Sequence, residues 1–202
     1  MSIPDSSITP QILKAAEIEF LEKGFVNASL RDICQKAGVT TGALYKRFVG
    51  KDRLFYAVLK PTLDDINRFI KEVEGKDYKH LEENRTKLIW EMSEDTLKKI
   101  TNFIYDRYSG FKLLLCKSEG SEYSNFLHEF VADQTKRSIA FMNAAEKNGL
   151  ICQIDELELH MLLTAFWTVL FEPILHDLPR EDALKRCSTV TKFFNWKEVF
   201  GF

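Results

Sequence analysis

Residues 29–48 read SLRDICQKAGVTTGALYKRF, and this stretch fits two short helices joined by a tight turn. Ser29 and Asp32 have the spacing of a capping box, which predicts the start of the first helix. Gly38 is expected to end that helix, and Thr40 can cap the second. A pair of short helices around a glycine turn has the layout of a helix-turn-helix, whose second helix enters the major groove of DNA.

The second helix of this motif suits close approach to base edges. Its first residues have hydroxyl groups or very small side chains, while a phenol and an ammonium group follow farther along. Hydroxyls and cations can contact bases and phosphates, and small side chains let the helix backbone come close to the groove. The residues predicted on these grounds to contact DNA are Thr40, Thr41, Gly42, Ala43, Tyr45, Lys46 and Lys51. On layout alone, a helical packing element that never touches DNA is the alternative.

Nearly every segment of the 202-residue chain has helical rather than strand periodicity, so the sequence predicts an all-α fold. We expect a small three-helix head over residues 5–59, in which Thr9 caps the first helix, and a larger helical body over residues 60–202. Longer helices are expected over residues 60–73, 84–108, 123–147, 155–175 and 181–199, with a polar connection at 75–78.

The composition is that of an ordinary globular protein, with 45% hydrophobic and 29% charged residues. Residues 9–59 carry eight cations against five anions although the whole chain has a net charge of -2. A basic head on an acidic body indicates that only one end meets a polyanion. No signal peptide and no apolar run near membrane-spanning length is evident, so we expect a cytoplasmic protein without membrane contact.

No motif of a catalytic or metal centre is present in the sequence. The four cysteines are far apart, and the four histidines form neither an HExxH motif nor a helical di-iron pattern. Phosphate-binding and nucleotide-binding glycine patterns and the GxSxG motif are also absent. We therefore expect a protein that is not an enzyme and that needs no cofactor and no metal.

The residues themselves carry a family resemblance. The run ILKAAEIEFLEKGFVNASLRDICQKAGVTTGALYKRFVGKDRLFYAVL, residues 12–59, resembles the N-terminal DNA-binding domain of the TetR family of bacterial transcriptional regulators. The resemblance covers residues 9–59, about a quarter of the chain. The positions that carry it are Ala15, Ala16, Phe20, Lys23, Gly24, Phe25, Ser29, Ile33, Ala37, Gly38, Val39, Gly42, Leu44, Tyr45, Phe48, Lys51 and Leu54.

This resemblance implies a role for each matching residue. Bases or the groove edge would be contacted by Thr41, Gly42, Ala43 and Lys46, and Arg31 would reach a base from the preceding helix. Phosphates would be held by Ser29, Thr40, Tyr45 and Lys51. Arg47 departs from the family, which often has histidine at that position, and the first helix lacks the usual leading basic residues.

A head this small reads few base pairs, so specificity calls for two heads on a two-fold axis. Residues 157–175, LELHMLLTAFWTVLFEPIL, are apolar around most of the helix, and the last helix has a broad apolar face. The resemblance implies a homodimer formed through about residues 155–200. A single monomeric core is the alternative reading of these apolar helices.

The body is also expected to bind a small molecule, since in TetR-like proteins it is a ligand-binding bundle. Aromatic walls suit a hydrophobic or aromatic effector, although plain core packing is the alternative for each aromatic residue. The implied function is a homodimeric repressor that such an effector releases from operator DNA; a helical interaction protein and an activator with the same head are the alternatives. The candidate effector-binding residues are Trp90, Phe103, Phe111, Tyr123, Phe126, His128, Phe130, Phe166 and Trp167, and further candidate polar anchors are Glu119 and Glu172.

Overall fold

The computed structural model describes residues 8–83, 92–147 and 154–200, and within these ranges it contains helices and no strand. The predicted all-α fold with an N-terminal helix-turn-helix is confirmed. The helices are α1 (Ile8–Asn27), α2 (Leu30–Ala37), α3 (Thr41–Tyr45), α4 (Lys51–Glu82), α5 (Glu94–Tyr105), α6 (Tyr108–Cys116), α7 (Phe126–Glu146), α8 (Glu156–Leu175), α9 (Arg180–Phe193) and α10 (Trp196–Val199).

Contacts between residues divide the chain into two units. The first contains the described residues up to Ile66 together with Arg107–Phe126, and the second contains those of Asn67–Asp106 and Leu127–Phe202. The helix-turn-helix thus shares its unit with α6, a segment that lies far from it in sequence. Helix α4 contributes its first half to one unit and its second half to the other.

The first unit is built around an aromatic cluster. The ring of Phe55 lies 4.8 Å from that of Phe20 and 5.1 Å from that of Phe25, measured between centroids. Helix α1 packs on α2 and α6, and the N–H of Phe25 donates to the carbonyl of Lys117 at 2.8 Å. The backbone can turn toward α6 because Gly24 has a φ of 75°, which ends the regular helical geometry of α1.

Helix α4 also passes very close to α6 within this unit. A Cβ at Gly110 would lie 1.9 Å from Oγ1 of Thr62, so only glycine fits there. Nearby, the guanidinium of Arg107 pairs with the carboxylate of Asp65 at 2.6 Å. These contacts fix α6 against the part of α4 that follows the helix-turn-helix.

The second unit has its own aromatic core on α7, α8 and the C-terminal helices. Phe166 packs edge-on against Trp167, Phe194 and Trp196, with centroid distances of 5.3 to 5.6 Å. Helix α5 packs on α9, and its cap is Ser93, whose hydroxyl oxygen accepts from the N–H of Thr96. Core packing therefore accounts for a large share of the aromatic residues of this unit.

Several predicted helix boundaries are wrong. Helix α4 is continuous from Lys51 to Glu82 although an end near residue 73 and a connection at 75–78 were expected, and both Pro61 and Gly75 lie inside it. The helix expected to reach residue 108 ends at Tyr105, and α9 ends at Phe193 before the separate α10. Thr9 does not cap α1, which begins at Ile8; its hydroxyl accepts a hydrogen bond from Arg47 instead.

Helix α8 contradicts the expectation that no apolar run comes near membrane-spanning length. By length and composition it could cross a membrane, since its most apolar 18-residue window has a mean hydropathy of 1.3. A core helix of a soluble protein meets the same criterion. Phe166, Leu170, Phe171 and Ile174 of this helix are buried within the protein.

Candidate nucleic-acid interface

The segment around α3 has one face that is buried against its unit and an outer face that is exposed. Leu44 is fully buried and Phe48 is 9% exposed, so these two side chains hold the motif on its unit. The outer residues Thr40, Thr41, Gly42, Tyr45 and Lys46 are exposed, and Ala43 is half-buried. The motif therefore presents Thr40, Thr41, Gly42, Tyr45 and Lys46 as one exposed set.

The start of α3 is fixed by its own N-cap. The hydroxyl oxygen of Thr40 accepts a hydrogen bond from the N–H of Ala43 at 3.2 Å, as predicted from the sequence. A capping hydroxyl keeps its own proton free to donate. Thr40 can thus cap the helix and donate to a DNA phosphate at the same time.

Gly42 is not required by the fold. A Cβ placed on it would meet only Oγ1 of Thr40 at 3.9 Å, an ordinary van der Waals distance. By contrast, Gly38 at the end of α2 has a φ of 65° and caps that helix in the left-handed conformation. The missing side chain at Gly42 matters only if something must approach α3 from outside.

The residues predicted on the preceding helix are placed as follows. Arg31 is exposed on α2. Ser29 caps α2, its hydroxyl oxygen accepting from the N–H of Asp32 at 3.3 Å. The other half of the predicted capping box does not form, since Asp32 pairs with Lys23 at 2.8 Å and the N–H of Ser29 donates to Glu19.

Lys51 has a role in the fold that the sequence does not reveal. Its ammonium group donates to the carbonyls of Val26 at 2.8 Å and Ala28 at 3.2 Å and lies 4.9 Å from the ring centroid of Phe25. It therefore ties the end of α1 to the start of α4. The phosphate contact of Lys51 stays a prediction, and making it would compete with these hydrogen bonds.

Arg47, the departure from the family pattern, is also a structural residue. Its Nε donates to the hydroxyl of Thr9 at 3.1 Å, and one terminal nitrogen donates to the carbonyl of Ala43 at 3.0 Å. The side chain thus links the start of α1 to α3 and supports the helix that carries the exposed set.

A buried carboxylate lies behind the motif, and sequence reasoning missed it. The side chain of Glu19 is completely buried and pairs with the ammonium groups of Lys23 and Lys36, each at 2.8 Å. It also accepts from the N–H of Ser29 at 3.3 Å. Burial alone would raise the pKa of Glu19, but the hydrogen bonds from Lys23, Lys36 and Ser29 outweigh it and lower the pKa to about 2.

The signal for this cluster was present in the sequence. Glu19 follows Ile12, Ala15 and Ala16 on the apolar face of α1 and is directly followed by buried Phe20. A carboxylate on such a face needs cationic partners, and Lys23 stands one turn later. The partner Lys36 could not be identified, because its proximity depends on how α2 packs on α1.

The second unit contains a cavity of about 230 Å³. Helices α4, α5, α7, α8 and α10 contribute to its wall. The aromatic residues that line it are Phe69, Tyr78, Phe141, Phe166, Trp167, Trp196 and Phe200, and its charged or amide side chains are Glu74, Asp77, Gln134 and Arg137.

The cavity includes only part of the predicted effector-binding set. Phe166 and Trp167 line it. Two other predicted residues contact lining residues: Phe103 stacks on Phe69 with centroids 4.3 Å apart, and Phe130 packs on Trp167 at 4.8 Å.

The remaining predicted residues lie elsewhere. His128 packs against His160, while Phe111, Tyr123 and Phe126 belong to the first unit. There Phe111 is a core residue and Tyr123 packs on Phe55. Trp90 lies outside the described residues. Helical periodicity shows that an aromatic residue faces inward, but it does not show which inward-facing residues leave a cavity.

Comparison with known proteins identifies the helix-turn-helix. Residues 12–58 match the family model "Bacterial regulatory proteins, tetR family". A curated relative, the HTH-type transcriptional regulator UidR of Escherichia coli (strain K12), is 35% identical over 66 residues, which cover 32% of this chain and 34% of that protein. The match thus spans about a third of the relative's length.

Solved structures extend the likeness of the fold to nearly the whole chain. A transcriptional regulator (TerR/AcrR family) from Aquifex aeolicus VF5 has a TM-score of 0.56 at 20% identity, covering 92% of this chain and 98% of that one. NalD, the secondary repressor of the MexAB-OprM multidrug efflux pump in Pseudomonas aeruginosa, has a TM-score of 0.57 at 17% identity, with coverages of 94% and 95%.

The TetR resemblance read from residues 9–59 is confirmed, since the family model matches residues 12–58 and the curated relative matches over a similar length. The relatives are transcriptional regulators, a class whose members are generally not enzymes.

Proposed function

We propose that the protein is a homodimeric transcriptional repressor that binds operator DNA through α3 and leaves it when a small hydrophobic or aromatic effector binds the second unit. It acts in the cytoplasm, on double-stranded DNA, and catalyses no reaction. One observation carries the DNA-binding part of the proposal. Gly42 has no side chain although the fold has room for one, in the middle of an exposed set of hydroxyls, a phenol and an ammonium group.

Selection of bound duplexes from a random DNA pool by the purified protein tests this function. We expect an enriched inverted repeat whose half-sites lie about one helical turn, ~34–36 Å, or a multiple of it apart. A single unrepeated site would contradict the dimer, and a pool without enrichment would contradict sequence-specific binding altogether.

Dimer formation through α8 and α9 is supported by an exposed apolar stripe. Leu157, Met161, Ala165 and Val169 recur every four residues along α8 and are all exposed, Leu157 to 68%. Phe193 at the end of α9 is 79% exposed. Large apolar side chains exposed in a row are typical of a protein-protein interface.

The effector part of the proposal rests on the cavity of the second unit and on the continuity of α4. One face of this helix between Phe69 and Tyr78 lines the cavity, whereas its first turns follow the helix-turn-helix directly. An effector that prefers one position of α4 would favour one spacing of the two heads. A 100-fold loss of DNA affinity requires a coupling free energy of about 2.7 kcal/mol between the two sites.

A further inference from the structure

The cavity wall is apolar over most of its surface, but it has an acidic end. Glu74 and Asp77 lie three residues apart on α4, which places them on the same face of the helix, and both line the cavity. Arg137 of α7 lines it as well. The charged lining residues therefore comprise two carboxylates and one guanidinium group.

The guanidinium group of Arg137 already forms ion pairs with two carboxylates. Its terminal nitrogen pairs with Glu74 at 2.9 Å and its Nε with Asp133 at 2.6 Å. Asp77, by contrast, has no ion-pair partner among the residues that the structure describes. Burial, together with the charge of Glu74, raises the pKa of Asp77 to about 6, and Lys76 offsets only part of this effect. Within the described part of the chain, the cavity thus holds a carboxylate that is not in an ion pair.

Two buried donors in the same wall also lack partners. Nε2 of Gln134 and Nε1 of Trp196 make no hydrogen bond within the described part of the chain, and Trp196 is only 7% exposed. A buried donor without an acceptor costs free energy, because it gives up its hydrogen bond to water and gains none in the folded protein. A ligand that brings an acceptor atom to these N–H groups would recover that free energy.

We propose, on the basis of the proposed function, that the effector is a small alkylamine that carries an aromatic ring and a hydrogen-bond acceptor, and that its protonated nitrogen pairs with Asp77. The acceptor meets the N–H groups of Gln134 or Trp196. The aromatic wall favours both the ring and the cation, since an ammonium group is attracted to the faces of aromatic rings. An anionic ligand has no comparable partner, because Arg137 is already held by two carboxylates.

Four probe molecules of similar shape separate the contribution of the ammonium group from that of the acceptor atom. They are 3-phenoxypropylamine, 3-phenoxypropan-1-ol, 3-phenoxypropanoate and 4-phenylbutylamine, which replaces the ether oxygen with a methylene group. Titration calorimetry on the full chain gives their affinities. We expect 3-phenoxypropylamine to bind at least about tenfold more tightly than the alcohol and the carboxylate, because a hydrogen bond between charged groups is stronger than one between neutral groups. The phenylbutyl amine should bind more weakly than the phenoxy amine.

The variant Asp77→Asn should remove the advantage of the amine and leave the affinity of the alcohol unchanged. Glu72→Gln is the matched control, since Glu72 is an exposed carboxylate on the same helix that does not line the cavity. Amine affinity should also rise as the pH increases through about 6, where Asp77 loses its proton. The charged groups that act on Asp77 are Glu74, which raises its pKa, and Lys76, which lowers it; Arg137 also lines the cavity.

The proposal is overturned if the alcohol or the carboxylate binds as tightly as the amine, if none of the probes binds, or if Asp77→Asn keeps the preference. Release of a selected operator duplex by each probe is measured separately. A carboxylate that binds best and releases DNA would preserve the proposed function and refute the amine. An amine that binds through Asp77 but never releases DNA would leave the recognition intact and refute the effector role.

Discussion

Removing the charge of Glu19 should destabilise the helix-turn-helix more than any surface substitution. In Glu19→Gln the two ammonium groups of Lys23 and Lys36 would face a neutral amide in place of a buried carboxylate. The N–H of Ser29, the N-cap residue of α2, would donate to a neutral oxygen instead of a charged one. The substitution keeps the shape of the side chain, so its effect isolates the charge.

The size of the effect follows from the pKa. Burial is outweighed by the hydrogen bonds, and the pKa of Glu19 falls from 4.5 to about 2. Each pKa unit corresponds to about 1.4 kcal/mol, which gives an upper limit of about 3.5 kcal/mol for the stabilisation of the charged over the neutral form. Because both lysines also reach water, we expect Glu19→Gln to lower the free energy of unfolding of this unit by about 2 kcal/mol at pH 7.

The lowered pKa of Glu19 also determines how the stability of this unit changes with pH. A depressed carboxyl pKa stabilises the folded state above the unfolded pKa of 4.5, and this stabilisation is lost as the pH falls from there toward 2. Hydrogen exchange of the amides of α2, measured between pH 3 and 7, reports the opening free energy locally. In Glu19→Gln the acid-dependent loss should disappear.

Glu22→Gln is the control for this experiment. Glu22 lies on the same helix and pairs with the same Lys36 at 2.6 Å, but its side chain is 56% exposed. Exposed ion pairs contribute little to stability, so protection of α2 should not change measurably. Equal effects of the two substitutions, or a Glu19 carboxyl that titrates near 4.5, would refute the reasoning.

Three further predictions concern packing, Lys51 and the dimer. Gly110→Ala should lower the melting temperature by several degrees, since its Cβ would collide with Thr62, and Thr62→Ala in the same chain should restore part of the loss. Lys51→Met should lower the free energy of unfolding by about 1–3 kcal/mol, because the hydrogen bonds of Lys51 to two backbone carbonyls are lost. An unchanged melting curve together with weaker DNA binding would mean that Lys51 contacts phosphate and does not stabilise the fold. Met161→Asp should convert the dimer to monomer in analytical ultracentrifugation, whereas Val49→Asp, at an 86% exposed position outside α8 and α9, should not.

Local signals made the helix-turn-helix predictable. Each helix cap of the motif involves residues no more than four positions apart in the sequence. The structure contains the caps at Ser29 and Thr40 and the left-handed Gly38. The partner of Lys51 was not predictable in this way. Its ammonium contacts carbonyls 23 and 25 residues away, and no pattern in the sequence encodes that distance.

The cavity was less predictable than the head for a similar reason. Composition correctly indicated many inward-facing aromatic residues, and Phe166 and Trp167 do line the cavity. Its acidic end was missed because Glu74 and Asp77 belong to a stretch expected to be a connection, which α4 instead traverses as helix. A single glycine and a proline lower helix propensity, but packing along a 32-residue helix overrides them.

The most direct test of DNA reading by α3 is the affinity of Gly42→Leu for a selected operator duplex, measured by fluorescence anisotropy beside the melting temperature of the variant. The fold leaves space at Gly42, so we predict an unchanged melting temperature and at least about a 100-fold loss of affinity, because the added side chain keeps α3 out of the major groove. Undiminished binding by a folded Gly42→Leu protein would contradict the account.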